Sequence, residues 1–342
     1  MNAVALSQQR QWRQARVVSG ALLAVSLLLL LLATAIGSTG LENLWNARHD
    51  PVSLQIIRDI RAPRALGAWL AGALLGLAGT IAQGLFRNPL ADPYLLGSAS
   101  GAGFGVGVAL VLMGTSPYAT GWLARVGITS AAFVGAVGAV LLTLLLARGV
   151  QHTLRLLLAG IVVGVVLGAL GSLVMMMQPE VMLSMQGFML GSTGFVGWAS
   201  CLLMAIAWVL CTAAGMAMSR VLDGLSLGEA TAASLGLPLP RMRAALVAVL
   251  ALATGAAVAQ TGLIAFVGLA APHLVRSMIR GTHRMFLLAA SLMGGVLLLA
   301  ADTLARSLIA PQELPVGVLT AVLGGGYLLW LMNRRGQPRR NP

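Results

Sequence analysis

This chain of 342 residues carries nine carboxylates, four histidines, two cysteines and 22 basic residues, every one of the last being Arg. The absence of Lys removes two chemistries, because a Walker A loop needs its Lys on the nucleotide phosphates and a Schiff base needs a Lys amine. If ATP drives this protein, another polypeptide hydrolyses it. Gly97-Ser-Ala-Ser-Gly101 sets Ala99 where a nucleophile elbow needs Ser, and no His falls mid-segment to activate one. The Gly alternation from Gly101 to Gly107 leaves a dinucleotide fingerprint incomplete and reads as helix packing. Cys201 and Cys211, ten residues apart on one apolar run, read as small packing side chains rather than a disulfide. His273, within Pro272-His-Leu-Val-Arg276, reads as a structural cap, and no His or Cys cluster offers a metal site. The expectation is a non-catalytic chain with no cofactor or metal of its own.

Two groups of polar residues are unusual enough to carry function. The first is Arg58, Arg61 and Arg64, joined by Arg306. These guanidinium groups could meet carboxylates of an external partner in the bidentate geometry Arg favours. They could equally snorkel to lipid headgroups or pair with Asp59 and Asp302, and charge alone leaves the readings level. The second is Leu222-Asp-Gly-Leu-Ser-Leu-Gly-Glu-Ala-Thr-Ala-Ala-Ser-Leu-Gly-Leu-Pro238. Ser226 with Glu229 three residues later is a capping-box pattern, and Gly236 with Pro238 supplies a stop, so a short helix is expected between two turns. Too short and polar to span a membrane, it reads as a docking element or as a plain surface helix.

The elements that must position these groups are long and apolar. Hydrophobic residues make up 58% of the chain and charged residues 9%, and mean hydropathy is +0.90. A bilayer-spanning helix needs about 20 apolar residues. Ten runs satisfy that, at Val17–Gly37, Ala65–Leu85, Tyr94–Met113, Trp122–Ala147, Leu154–Met177, Phe195–Ala217, Ala244–Ala259, Gly262–Ile279, Met285–Ala301 and Pro315–Met332. The fold class is an all-α polytopic membrane protein, a single transmembrane domain over 1–342. The first run, too long for a signal-peptide core, is expected to remain as a span.

Charge sets the orientation, since cytoplasmic loops carry the excess of Arg. With the N-terminus inside, 16 of the 22 arginines fall on the cytoplasmic side: Arg10, Arg13, Arg16, Arg87, Arg148, Arg155, Arg220, Arg241, Arg243, Arg276, Arg280, Arg284, Arg334, Arg335, Arg339 and Arg340. Both termini are then cytoplasmic. The net charge of +13 invites nucleic acid, but these residues punctuate apolar runs rather than forming a stripe with aromatics, so no nucleic-acid partner is expected. All nine carboxylates lie in loops or near span ends, whereas an ion-coupled carrier usually places ionisable groups or broken helices at mid-membrane.

Gly160, Gly164 and Gly168 form a small-residue stripe on the fifth run, as Gly72 and Gly76 do on the second. Both fit ordinary bundle packing, and the first also fits a subunit seam or a pathway. Met175, Met176, Met177, Met182, Met185 and Met189 crowd the outer end of the fifth run and the loop after it. Flexible thioethers suit a wall sliding around a large flat apolar ligand, and core packing explains them as well.

The chain resembles the iron-chelate and vitamin B12 permease family, the ten-helix membrane subunits of type II ATP-binding-cassette importers. The motifs that carry the resemblance are Arg61-Ala-Pro-Arg64, Gly79-Thr-Ile-Ala-Gln83, Asn88-Pro-Leu-Ala-Asp-Pro93, Leu96-Gly-Ser-Ala-Ser-Gly-Ala102 and Leu158-Ala-Gly-Ile161. They continue with Leu227-Gly-Glu229, Ser234-Leu-Gly236, the run from Thr261 to Arg276, Ala301-Asp-Thr-Leu-Ala-Arg306 and Glu313-Leu-Pro-Val-Gly-Val-Leu-Thr320.

The resemblance implies that the segment at about 220–240 is a coupling-helix pair seated in an ATPase cleft, through Leu225, Leu227, Gly228, Glu229, Ser234, Leu235 and Gly236. It implies that Arg58, Arg61, Arg64 and Arg306 dock a periplasmic substrate-binding protein. It implies a homodimer in the bacterial inner membrane, with Gly160, Gly164, Gly168, Met175 and Met176 along its seam and pathway. Two copies of an ATP-binding subunit would hold ATP and Mg2+. The cargo implied is an iron chelate, with haem preferred on the methionines over ferric siderophore or cobalamin. The rival class is an ion-coupled secondary transporter acting alone.

Overall fold

The computed structural model describes residues 3–37, 40–41, 50–113, 122–147, 153–234, 236 and 238–335. Glu42, Arg48, Arg148, Arg339 and Arg340 lie outside the described residues. The chain is helical nearly throughout. Helix α1 (Ala3–Ala35) runs into a two-residue antiparallel ladder, β1 (Ile36–Gly37) with β2 (Gly40–Leu41). Helix α2 (Pro51–Ile56), capped by the Asp50 carboxylate on the Val52 and Ser53 amides, continues through one π-helical turn (Ile57–Arg61) into α3 (Ala62–Phe86). There follow α4 (Ser98–Met113), α5 (Trp122–Leu146), α6 (Thr153–Met177), α7 (Pro179–Leu190) and α8 (Trp198–Ala217). Two short helices, α9 (Ser219–Ser226) and α10 (Glu229–Ser234), precede α11 (Leu239–Thr261), α12 (Val267–Met278), α13 (His283–Ser307) and α14 (Val316–Arg335).

All ten expected runs contain a helix, and seven of these, α1, α3, α5, α6, α8, α11 and α13, are long and apolar enough to cross a membrane. Two expectations are corrected in detail. The run Gly262–Ile279 is helical only from Val267, because Gly262 and Phe266 both take φ +69° and break the chain. A Cβ at Gly262 would overlap the Phe188 carbonyl. Irregular backbone survives at such depth only where protein satisfies it, and here the Leu263 amide donates to Phe188 O at 3.0 Å and Tyr94 Oη to Ile264 O at 3.1 Å. The run from Tyr94 begins as a 3-10 turn (Pro93–Leu96), closed by Gly97 at φ +81°, so α4 starts four residues later than expected.

The centre of the bundle is α3, which is almost wholly buried. Lipid offers no hydrophobic drive for helices to associate, so close packing and hydrogen bonds must do it. The Gly72–Gly76 stripe is that ordinary packing: a Cβ at either position would overlap the backbone of α13 at Gly294 or Ala290. Hydrogen bonds then cross-tie four helices. Trp69 Nε1 donates to Ser26 Oγ on α1 at 2.9 Å, Trp208 Nε1 to Ser291 Oγ at 2.8 Å, and Ser291 Oγ to Ala73 O at 2.9 Å. A second, smaller apolar cluster joins Ala102, Val106 and Leu110 of α4 to Ile128, Ala132 and Ala136 of α5, Val181 and Met185 of α7, and Val258 of α11.

Candidate functional site

Helices α3 and α13 lie side by side and run between the two ends of the molecule, so their terminal residues define those ends. At the outer end stand Arg64, in the first turn of α3, and Asp302 and Arg306, one turn apart near the end of α13. Arg64 Nη2 lies 3.2 Å from Asp302 Oδ1, and its Nη1 donates to Glu313 Oε2 at 2.7 Å. Arg306 Nη2 sits 3.1 Å from Asp302 Oδ2, while its Nη1 donates to Ala33 O and Ile36 O at the end of α1. Thr193 Oγ1 donates to Asp302 as well. Asp302 is fully buried and Arg306 only 2% exposed. The geometry is that of a buried charge network in which each charge has an opposite partner, Asp302 Oδ2 and Arg306 Nη2 meeting as an ion contact without hydrogen-bond geometry.

Of the two readings left level for the outer arginines, the structure favours pairing within the chain for Arg64 and Arg306. The partners are Asp302, as weighed, and Glu313, which the sequence did not single out. Arg61 is buried too, whereas Arg58 and Asp59 are exposed on the turn leading into α3, where Trp198 Nε1 donates to Arg58 O at 3.0 Å. Beside Glu313 opens a cavity of about 300 Å3, lined by Thr129, Phe188, Ser192, Phe195, Gln260 and Leu314 among others.

At the cytoplasmic end the chain makes a step. The segment that the capping pattern gives as one short helix, and the resemblance as a helix pair, is a pair, α9 and α10, broken at Gly228, whose φ of +108° only Gly adopts without strain. Ser226 does not cap α10, since its hydroxyl donates back to Asp223 O. The step is fastened to the bundle at two points. Asp223 Oδ1 accepts from the His283 amide at 2.8 Å and lies 2.7 Å from His283 Nδ1, at the start of α13. Glu229 Oε1 lies 2.8 Å from Arg243 Nη2 on α11 and 3.7 Å from Arg87 Nη2, just past the end of α3. Leu225 is buried beneath the step, while Leu227 stands 65% exposed at its corner and Ser234 and Gly236 are exposed beyond it. Leu235 lies outside the described residues. Glu229 thus faces inward, holding the step in place. Asp223 and Glu229 lie apart in the sequence from their partners His283 and Arg243, and no local pattern ties the four into one set.

The third group is on α6, the least buried of the long helices. Its glycine stripe faces inward: a Cβ at Gly160 would overlap the Leu95 carbonyl, and Gly164 and Gly168 border Gly97 and Ser100. The stripe is therefore a seam with the Pro93–Leu96 turn and the start of α4 in the same chain. What α6 turns outward is Leu158, Ile161, Val162, Val165 and Val166, followed by Met176, which is exposed. Met175 and Met185 pack in the second apolar cluster, while Met177, Met182 and Met189 are exposed with Met176.

Comparison with known proteins gives one answer throughout. A family model for the FecCD transport family matches residues 9–334. The hemin transport system permease protein HmuU of Yersinia pestis is 40% identical over 331 residues, covering 95% of this chain and 98% of that protein. The vitamin B12 import system permease protein BtuC of Salmonella typhimurium is 38% identical over 338 residues, covering 95% and 97%. A structure described as an inward-facing metal-chelate type ABC transporter superimposes with a TM-score of 0.81 at 30% identity, over 93% of this chain and 99% of that one. The PsaBC structure from Streptococcus pneumoniae, at 15% identity and a TM-score of 0.57, shares the fold. With ten apolar helices in place and near-complete coverage at that identity, this chain belongs to the FecCD transport family and is a multi-pass transport protein of the bacterial inner membrane.

Proposed function

We propose that this chain is the membrane subunit of an ATP-binding-cassette importer, working as a homodimer with two separate ATPase subunits and a periplasmic binding protein, and that its cargo is haem. The observation that carries the coupling is the cytoplasmic step. Its corner presents exposed Leu227 to a partner, while Asp223 and Glu229 fasten it to α13, α11 and the end of α3. Force applied to the step is delivered to the bundle core. ATP and Mg2+ belong to the partner, since this chain has no Lys for a phosphate loop.

The outward face of α6 is the surface proposed for the second copy, with the pathway along it. At the outer end the proposed docking surface is narrower than the sequence suggested. Arg58 is exposed there, while Arg64 and Arg306 shape the rim from beneath through Asp302 and Glu313. Haem is favoured by the exposed thioethers Met176, Met177, Met182 and Met189, which suit a flat apolar ligand. The likeness to HmuU at 40% identity supports the same choice, although that to BtuC at 38% supports cobalamin nearly as well.

ATP-driven uptake into proteoliposomes containing the chain and its ATPase tests this. The binding protein is loaded in turn with haem, ferric siderophore and cobalamin. Haem uptake alone is expected, uptake of another chelate would keep the importer and discard the cargo, and uptake without the ATPase would overturn the coupling.

A further inference from the structure

Helix α1 is longer than a bilayer requires. Its 33 residues extend about 50 Å at 1.5 Å per residue. Its outer end is fixed, because the Ala33 carbonyl accepts from Arg306. Counting back about 20 residues, roughly the 30 Å of the hydrocarbon core, reaches Arg13. Arg10, Arg13 and Arg16 therefore stand at the depth of the cytoplasmic headgroups, with Trp12, 40% exposed, among them. Aromatic residues of that kind favour the same interface.

The face these arginines occupy is the one turned to lipid. Arg10 and Leu28 are 18 residues apart, as are Arg13 and Leu31, and 18 residues are five full turns of a 3.6-residue helix. Leu28 is 66% and Leu31 63% exposed, whereas Ala15, Leu22 and Ser26 on the opposite face are buried against the bundle. Arg280 and Arg284, exposed at the cytoplasmic start of α13, stand about level with them, since Arg284 is 22 residues before Arg306. No carboxylate precedes Glu42 in the sequence. Among the described residues none of these five arginines forms an ion pair.

We propose that Arg10, Arg13 and Arg16 form a binding site for the phosphate of an anionic phospholipid in the cytoplasmic leaflet, with Arg280 and Arg284 extending it. The guanidinium groups supply bidentate donors to phosphate oxygens, Trp12 lies at glycerol depth, and the acyl chains follow the exposed Val17, Gly20 and Leu23 along the cytoplasmic half of α1. A water-soluble partner such as an ATPase would need its contact surface in water, whereas this stripe continues without a break into the hydrocarbon, and the face proposed for a second copy is on α6.

The test uses the full-length protein in nanodiscs of equal phosphatidylglycerol and phosphatidylethanolamine, with retained lipid counted by native mass spectrometry after transfer to detergent. Wild type is expected to retain phosphatidylglycerol preferentially, and each arginine replaced by Gln should lower that preference about fivefold. Arg241→Gln, an exposed cytoplasmic arginine on α11, should leave it unchanged. Equal preference in R10Q/R13Q/R16Q and wild type overturns the site, as does an equal effect from R241Q, which would reduce it to net charge. Loss of a co-purifying ATPase with lipid preference intact would also overturn it, by assigning the face to protein docking. If the triple variant does not accumulate, R13Q alone reads the same ratio.

Discussion

The two ends of this protein hold charge in different ways. At the outer end four charges from three parts of the chain interlock, with Asp302 and both arginines removed from water. At the cytoplasmic end two carboxylates of a short helical step each clasp basic groups of the bundle, and Asp223 and Glu229 keep about a third of their side-chain surface exposed. A buried network is all-or-none, because removing one member leaves another charge desolvated and alone. Clasps with one half-solvated member loosen and remake more readily, since water reaches the carboxylates even though Arg243 and His283 themselves are buried. The outer end is built to keep its shape, and the inner end to be grasped and moved.

The heaviest blow to that contrast is Asp302→Ala, which leaves Arg306 with no carboxylate and Arg64 with Glu313 alone. It should cost about 3–5 kcal/mol, read as a lower unfolding temperature of the detergent-purified protein. A loss no larger than that from cutting a cytoplasmic clasp would erase the distinction. Gly76→Leu attacks what joins the two ends, driving a side chain into the α13 backbone at Ala290. About 1–3 kcal/mol of stability should go, and transport should fall further than stability predicts if α3 and α13 act as one.

Glu229→Gln sharpens the comparison from the other side. About 1–2 kcal/mol is expected, with uptake reduced severalfold while the ATPase still binds. Uptake at the wild-type rate would show that the clasp is idle. The smallest effect on stability belongs to Leu227→Asp, within about 0.5 kcal/mol because the side chain is already in solvent. Pull-down of the ATPase should nonetheless fail, and unchanged association would remove the corner from the interface.

How far each of these features was legible in the sequence follows from the distance over which it is encoded. Apolar runs are local, so all ten were visible, and Gly72 with Gly76 announced a packing stripe. The break at Gly262–Phe266 was not, because Phe266 at φ +69° is set by neighbours such as Gly324, against which its ring packs. Asp302 and Arg306 could be paired by eye at i, i+4, but Arg64 and Glu313 meet across 249 residues. The Gly160–Gly168 stripe was recognised as a close-packing surface while its partner, the Pro93–Leu96 turn and the start of α4 in the same chain, was beyond reach. Glu229 stands out in the sequence, yet its inward direction rests on Arg243, which nothing local ties to it.

Seen as mechanics, the meeting of α3 and α13 backbone to backbone makes one thick strut from two thin rods. Side chains between helices are compliant, because rotamers can absorb a displacement, whereas at Gly72, Gly76 and Gly294 there is nothing to compress. Bending stiffness rises steeply with the width of a beam, so such a strut is expected to tilt as a unit before it flexes. With one end in the Asp223–His283 clasp and the other in the Asp302 network, a few ångströms of travel at the cytoplasmic step would then arrive at the outer rim as a change of angle.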